Sequence, residues 1–317
     1  MDSTDIDPPL ASESPPAAKR RRFSKRHISE WTTGGLFLLP AVAFLVFTSL
    51  YPLIYALVLT VYRWDLKISP EKKFIGLDNF THAAKDVEFH NSLWVTLTFV
   101  VVTVLIEIVL GMAIALLVTR EMRGVRVVRS LLLIPMVMTP VVVGILWRML
   151  FNPDFGLFNY ILSLFGADPK KLLWLGDPDL ALWAVMITDI WEWTPFVTLC
   201  FVAGLTSLPV DLQKAARVDG ASAWQTFWRV SLPMMKSVIL VVGLLRFLDA
   251  FKVVDTIYVM TYGGPGNSTK LLSFFIYETG LKYFNIGYAS TISWIFIALM
   301  FIITYYFIRE RQRSERF

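Results

Sequence analysis

Cysteine is almost missing from this chain: Cys200 stands alone, so no disulfide can close within it and no thiolate-rich metal site can be built. Histidine is nearly as scarce, and His27, His82 and His90 leave too little for a His-built zinc centre. Charge is thin as well, at 17% of residues against roughly 25% in ordinary soluble domains. A G-x-x-x-x-G-K-[ST] phosphate loop is absent; the run from Gly263 to Lys270 has the composition but not the spacing, and reads as a turn at the end of an apolar stretch. These shortages, set beside 56% apolar residues, exclude a disordered chain and speak against a soluble enzyme.

Apolar length is what the sequence has in plenty. A membrane-crossing helix needs about 20 mostly apolar residues, and six stretches qualify: 34–62, 93–118, 127–150, 180–208, 234–262 and 288–308. Pro40, Pro52, Pro135, Pro140 and Pro195 fall inside them, where breaks are tolerated if neighbouring groups satisfy the freed carbonyls. Basic residues concentrate in alternate connections: Lys19 to Arg26, Arg120 to Arg129, Lys214 to Lys236, and Arg309 to Arg316. The positive-inside rule then predicts an all-α integral membrane protein with six spans and both termini in the cytoplasm. It also accounts for the net charge of +5 without nucleic acid. The first apolar run is too long for a signal peptide and is expected to remain as an uncleaved span. Residues 1–30 are expected to form a disordered basic cytoplasmic tail, 31–310 the transmembrane domain and 311–317 a short cytoplasmic tail.

The connection 209–233 is too polar to span. Leu212 to Val218 suits a short helix, and Asp219-Gly220 is turn chemistry, since glycine takes positive φ without steric cost. Ser222 and Gln225 fit a capping box that starts a second helix. Trp224, Phe227 and Trp228 then share one face. Residue chemistry alone leaves two readings open: an amphipathic hairpin on lipid headgroups, or a docking knob for a cytoplasmic partner.

Lys214-Ala215-Ala216-Arg217-Val218-Asp219-Gly220-Ala221, with Leu232-Pro233 downstream, resembles the "EAA" loop of permease subunits of ATP-binding-cassette (ABC) importers. Phe74 to Phe80, Phe251 to Tyr258 and Thr261 to Pro265 resemble the carbohydrate branch, of the maltose-permease type. The likeness covers about 31–310. It implies a coupling loop, Lys214, Ala215, Ala216, Asp219, Gly220 and Ala221, seated on an ATPase subunit. It further implies a second and non-identical permease subunit, two ATPase subunits that carry the ATP and Mg, and an extracytoplasmic solute-binding protein, in a bacterial inner membrane. No cofactor, metal or catalytic residue is expected on this chain. Lys214 stands where the family pattern has Glu, so the ion pair implied for relatives cannot form there.

Ionisable residues inside spans are costly and mark functional sites. Glu107, Asp189, Glu192, Arg246, Asp249, Lys252 and Asp255 are of this kind. Asp189, Trp191, Glu192 and Trp193 combine carboxylates with aromatic faces, a mixture that suits a carbohydrate. With Asp249, Lys252 and Asp255 they form the candidate solute pathway. Arg246, Asp249, Lys252 and Asp255 follow at i, i+3 with alternating sign, and each is expected to pair with the next; a self-neutralising ladder is the structural alternative. Two other classes compete: a gradient-driven secondary transporter using the buried carboxylates as proton sites, and a membrane hydrolase using Asp189 and Glu192 as acid and base.

Overall fold

The computed structural model describes residues 37–119, 124–166, 168 and 172–314. The expected tail 1–30, the basic residues Arg120, Arg123, Lys170 and Lys171, and the last three residues lie outside them. The chain divides into two compact units, Met1–Ile54 and Tyr55–Phe317. The described part of the first belongs to helix α1 (Phe37–Leu59), whose side chains are almost all exposed. An apolar helix with so little covered is suited to lipid rather than water.

Among the described residues the second unit is helical apart from one small antiparallel pair, β1 (Tyr62–Arg63) with β2 (Lys73–Phe74), in which Tyr62 faces Phe74. After a short α2 (Asp78–Ala83), the long α3 (Val87–Val118) begins at Asp86, whose carboxylate accepts from the Glu88 N–H at 2.8 Å. That cap satisfies one of the donors a helix start leaves open. The other long helix, α7 (Pro178–Ser207), starts in the same way: Asp177 accepts from Asp179, and Pro178 occupies the first position, where no N–H is needed. The two pack along each other as the spine of the unit. Gly111 lets them close, since a Cβ there would lie 2.6 Å from Val197 Cγ1. Thr96 and Thr103 of α3, and Thr188 and Thr198 of α7, return their hydroxyls to carbonyls four residues back, so these buried groups are satisfied within their own helix.

Between the long helices lie α4 (Val125–Val137), α5 (Pro140–Leu150) and α6 (Leu157–Leu164). After α7 come α8 (Val210–Val218), α9 (Ala223–Met234), α10 (Lys236–Ala250), α11 (Asp255–Met260), α12 (Leu272–Tyr277) and α13 (Ile286–Ser314). The main core joins Phe99, Trp147, Phe151, Met186, Phe251 and Phe274. A second cluster gathers Met112, Phe201 and Met235.

Among the described residues four helices, α1, α3, α7 and α13, are long and apolar enough to cross a membrane. The count reaches six if two bent pairs are each one span: α4 with α5, meeting at 98°, and α9 with α10, meeting at 64°. The expected third span is therefore not one continuous rod. Pro140 opens α5, and the residue before a proline is pushed out of the helical region, as Thr139 is at ψ 142°. The expected fifth span needs correction. Its helix ends at Ala250, and 255–260 is a separate helix. The Val253 carbonyl is taken by the Ser273 hydroxyl at 2.6 Å instead of by a helical N–H.

Candidate functional site

The break after α10 opens a cleft of about 180 Å³ between α5, α7, α10 and α11. Asp189, Glu192 and Trp193 reach it from α7, Asp249 from α10, Lys252 from the break and Asp255 from the first turn of α11. Six of the seven pathway candidates thus meet in one place. Trp191 does not. It points to the other face of α7, edge-on to Trp147 at 5.6 Å, in an apolar groove of about 830 Å³. The 3.6-residue period explains this: Asp189, Glu192 and Trp193 are spaced i, i+3, i+4, and Trp191 falls off that face.

Beneath the cleft sits Arg246, 1% exposed. Its Nε donates to Glu107 at 2.7 Å and one Nη to the same carboxylate at 2.8 Å, a bidentate pair between α10 and α3. The same Nη donates to Asp189 of α7 at 3.0 Å, and the other Nη to Asp249 at 3.0 Å. Its guanidinium carbon lies 4.8 Å from the centre of the Trp193 ring. One side chain therefore ties three helices together, and every partner is a carboxylate or an aromatic face. The expected ladder along the fifth span holds only in part: Arg246 pairs with Asp249, and Asp249 with Lys252 at 3.5 Å. Asp255 lies beyond the break and has no ion pair with Lys252 among the described residues. Sequence reasoning missed the link from Arg246 to Glu107. The available signal was the pair of opposite charges on separate apolar stretches, each too costly to leave alone.

The segment 209–234 folds locally as its residues dictate. α8 ends in a left-handed Gly220 at φ 83°. The Ala221 N–H reaches the Ala216 carbonyl at 2.9 Å and the Gly220 N–H that of Arg217 at 3.1 Å, a Schellman cap. Ser222 and Gln225 then form the expected capping box, at 3.2 and 2.8 Å. Lys214, Ala215, Asp219 and Gly220 are exposed, with Ala216 and Ala221 partly covered. Lys214 approaches Asp211 one turn back at 3.9 Å, an exposed pair worth little. Trp224 and Trp228 stack edge-on at 5.4 Å beside Phe227, and both Trp rings are largely exposed.

Outside the spans, Lys270 is held by Glu278 at 2.8 Å and Glu88 at 3.2 Å, and Glu278 also takes Lys282 at 2.7 Å. Burial alone would raise the Glu278 carboxyl, but the hydrogen bonds from Lys270 and Lys282 outweigh it and hold the group below the usual carboxylate range.

Residues 107–314 match the family described as binding-protein-dependent transport system inner membrane component. The chain belongs to that family. It is a transport component and not an enzyme. Its relatives include the trehalose/maltose transport system permease protein of Thermococcus litoralis, 38% identical over 89% of this chain and 95% of that one. The trehalose transport system permease protein of Mycobacterium tuberculosis is 38% identical over 85% of each chain. Among solved structures, a chain of a bacterial alginate ABC transporter, crystallised with its pentasaccharide-bound periplasmic protein, overlays with a TM-score of 0.79. That overlay covers 92% of this ABC permease and 98% of the other chain, at 21% identity, a likeness of fold alone.

Proposed function

We propose that this permease is one membrane-spanning half of an ATP-driven importer for a sugar, polyol or glycoside. It crosses a bacterial inner membrane six times with both termini inside, counting each bent pair as one span. Solute arrives from an extracytoplasmic binding protein and passes the cleft of Asp189, Glu192, Trp193, Asp249, Lys252 and Asp255. Carboxylates there accept hydroxyl hydrogen bonds, and Trp193 offers an apolar face. The relatives named for trehalose and maltose transport support this class of cargo. ATP and Mg are bound by two partner ATPase subunits, and a second, non-identical permease subunit completes the pathway.

The observation that carries the reading is the exposed elbow between α8 and α9. It is rigidly capped on both sides of Gly220 and packs small residues at its tip, a shape that fits a groove and can pass motion to the helices beyond it. Lys214, Ala215, Ala216, Asp219, Gly220 and Ala221 form the contact with the ATPase. Affinity purification in mild detergent from the native host should bring down a second membrane subunit and an ATPase. A chain that purifies alone, under conditions that keep related complexes whole, overturns the reading and returns weight to a gradient-driven transporter.

A further inference from the structure

We propose that the cleft selects its solute by charge, admitting neutral or cationic polyhydroxylated molecules and turning away anionic ones, with Glu192 as the residue that sets the preference. The inference rests on the cleft being part of the solute pathway and adds the class of solute to it.

Arg246 is the strongest nearby cation, but its guanidinium is already engaged by Glu107, Asp189 and Asp249 and covered by Trp193. Lys252 is the sole cation among the described residues lining the cleft, and it is paired with Asp249. Glu192 is different. It is 2% exposed, lines the cleft, and makes no hydrogen bond or ion pair among the described residues. Asp255 stands at the rim, exposed and without an ion pair among the described residues.

In its ionised form the Glu192 carboxylate only accepts hydrogen bonds. It can take a hydroxyl or an ammonium proton from a solute and has nothing to give a solute carboxylate, sulfonate or phosphate. A buried carboxylate without a partner gains most when a donor arrives. An entering anion passes Asp255 at the exposed rim and then meets the unpaired Glu192, away from bulk water, where like charges repel more strongly than at an open surface. The repulsion is itself the source of specificity.

The test uses the complete complex in nanodiscs without its binding protein, so that the cleft alone is read. Saturation-transfer difference NMR measures three probes: maltose as neutral, glucosamine as cation, glucuronate as anion. Maltose and glucosamine are expected to bind, and glucuronate at least about tenfold more weakly, the factor for which 1.4 kcal/mol stands. Glu192→Gln should bring glucosamine and glucuronate at least about threefold closer. Asp255→Asn, at the exposed rim, should move the same ratio in the same direction and covers the case in which the buried variant does not fold. Glucuronate binding as tightly as maltose overturns the charge selection while leaving the cleft a solute site. A ratio unmoved by both variants, in complexes that keep maltose binding, overturns the assignment to these carboxylates. No binding by any probe overturns the pathway reading itself and the inference with it.

Discussion

Arg246 and Glu107 could each be tolerated in a membrane only because the other is present. The guanidinium matches the carboxylate with two parallel bonds, and Asp189 takes a further donor. Arg246→Met leaves two carboxylates, Glu107 and Asp189, buried without their cation. Breaking a buried pair in this way costs about 3–5 kcal/mol. The variant complex is expected to melt well below wild type in a thermal scan, and Glu107→Gln added to it should restore part of the loss. Glu278 makes a second prediction outside the spans. Its carboxyl is held low by Lys270 and Lys282, so the stability it adds is fully present above the ordinary glutamate value, about 4.3, and is lost as pH falls through the depressed one. Glu278→Gln should lower the melting temperature at pH 7 and flatten its decline in acid. Equal acid sensitivity in the two proteins would show that Glu278 contributes no such linkage. That Glu107, Asp189, Arg246 and Asp249 are charges within apolar stretches was legible in the sequence, whereas Glu278 drew no notice there. Which carboxylate Arg246 would choose was not, since i, i+3 spacing predicts neighbours on one helix and says nothing of Glu107 on another.

At the scale of elements, local chemistry was the better guide. Asp219-Gly220 and the Ser222–Gln225 pair fixed the elbow, because turns and caps are decided within a few residues. Gly220→Pro cannot take φ 83° and removes the N–H that meets Arg217. It is expected to leave the complex assembled while ATP hydrolysis proceeds without solute uptake, a split read by parallel ATPase and transport assays in proteoliposomes. Normal uptake by this variant would sink the coupling assignment. Ser222→Ala removes one half of the capping box at a cost of about 1 kcal/mol, and should weaken coupling less than Gly220→Pro does. The end of α10 was illegible by contrast. The charges within 234–262 keep a helical i, i+3 spacing and so mark no stop, and the carbonyl freed in the break is taken by Ser273, twenty residues further along the chain. Pro140 did mark its own break, although not the 98° that follows from it.

For the whole molecule, the membrane class followed from composition, and the family from the elbow and its flanking motifs. How the helices pair did not, because most apolar side chains in a membrane protein face either lipid or protein with the same chemistry. Gly111 is one position where α3 and α7 come too close for a Cβ. Gly111→Val forces its side chain into Val197 and the backbone of Thr198. Overpacking of this kind costs roughly 1–3 kcal/mol. The spine should spread, with a lower melting temperature and reduced transport, while the isolated elbow keeps its fold.

Glu107 and Arg246 are 139 residues apart in the chain. At about 5–20 residues per second of synthesis, the helix carrying the carboxylate emerges roughly 7 to 28 seconds before the one carrying its cation. For that interval α3 must be held in the bilayer by its apolar side chains alone, and among the four long spans it is the most apolar. A carboxylate at a helix centre sets insertion back by about 2.5–3.5 kcal/mol, and each Leu, Ile, Phe or Val recovers about 0.3–0.6. The Val, Leu and Ile residues that crowd Phe99 to Leu117 therefore have a role that the finished fold conceals. They carry an unpartnered charge through biogenesis until the ribosome delivers Arg246.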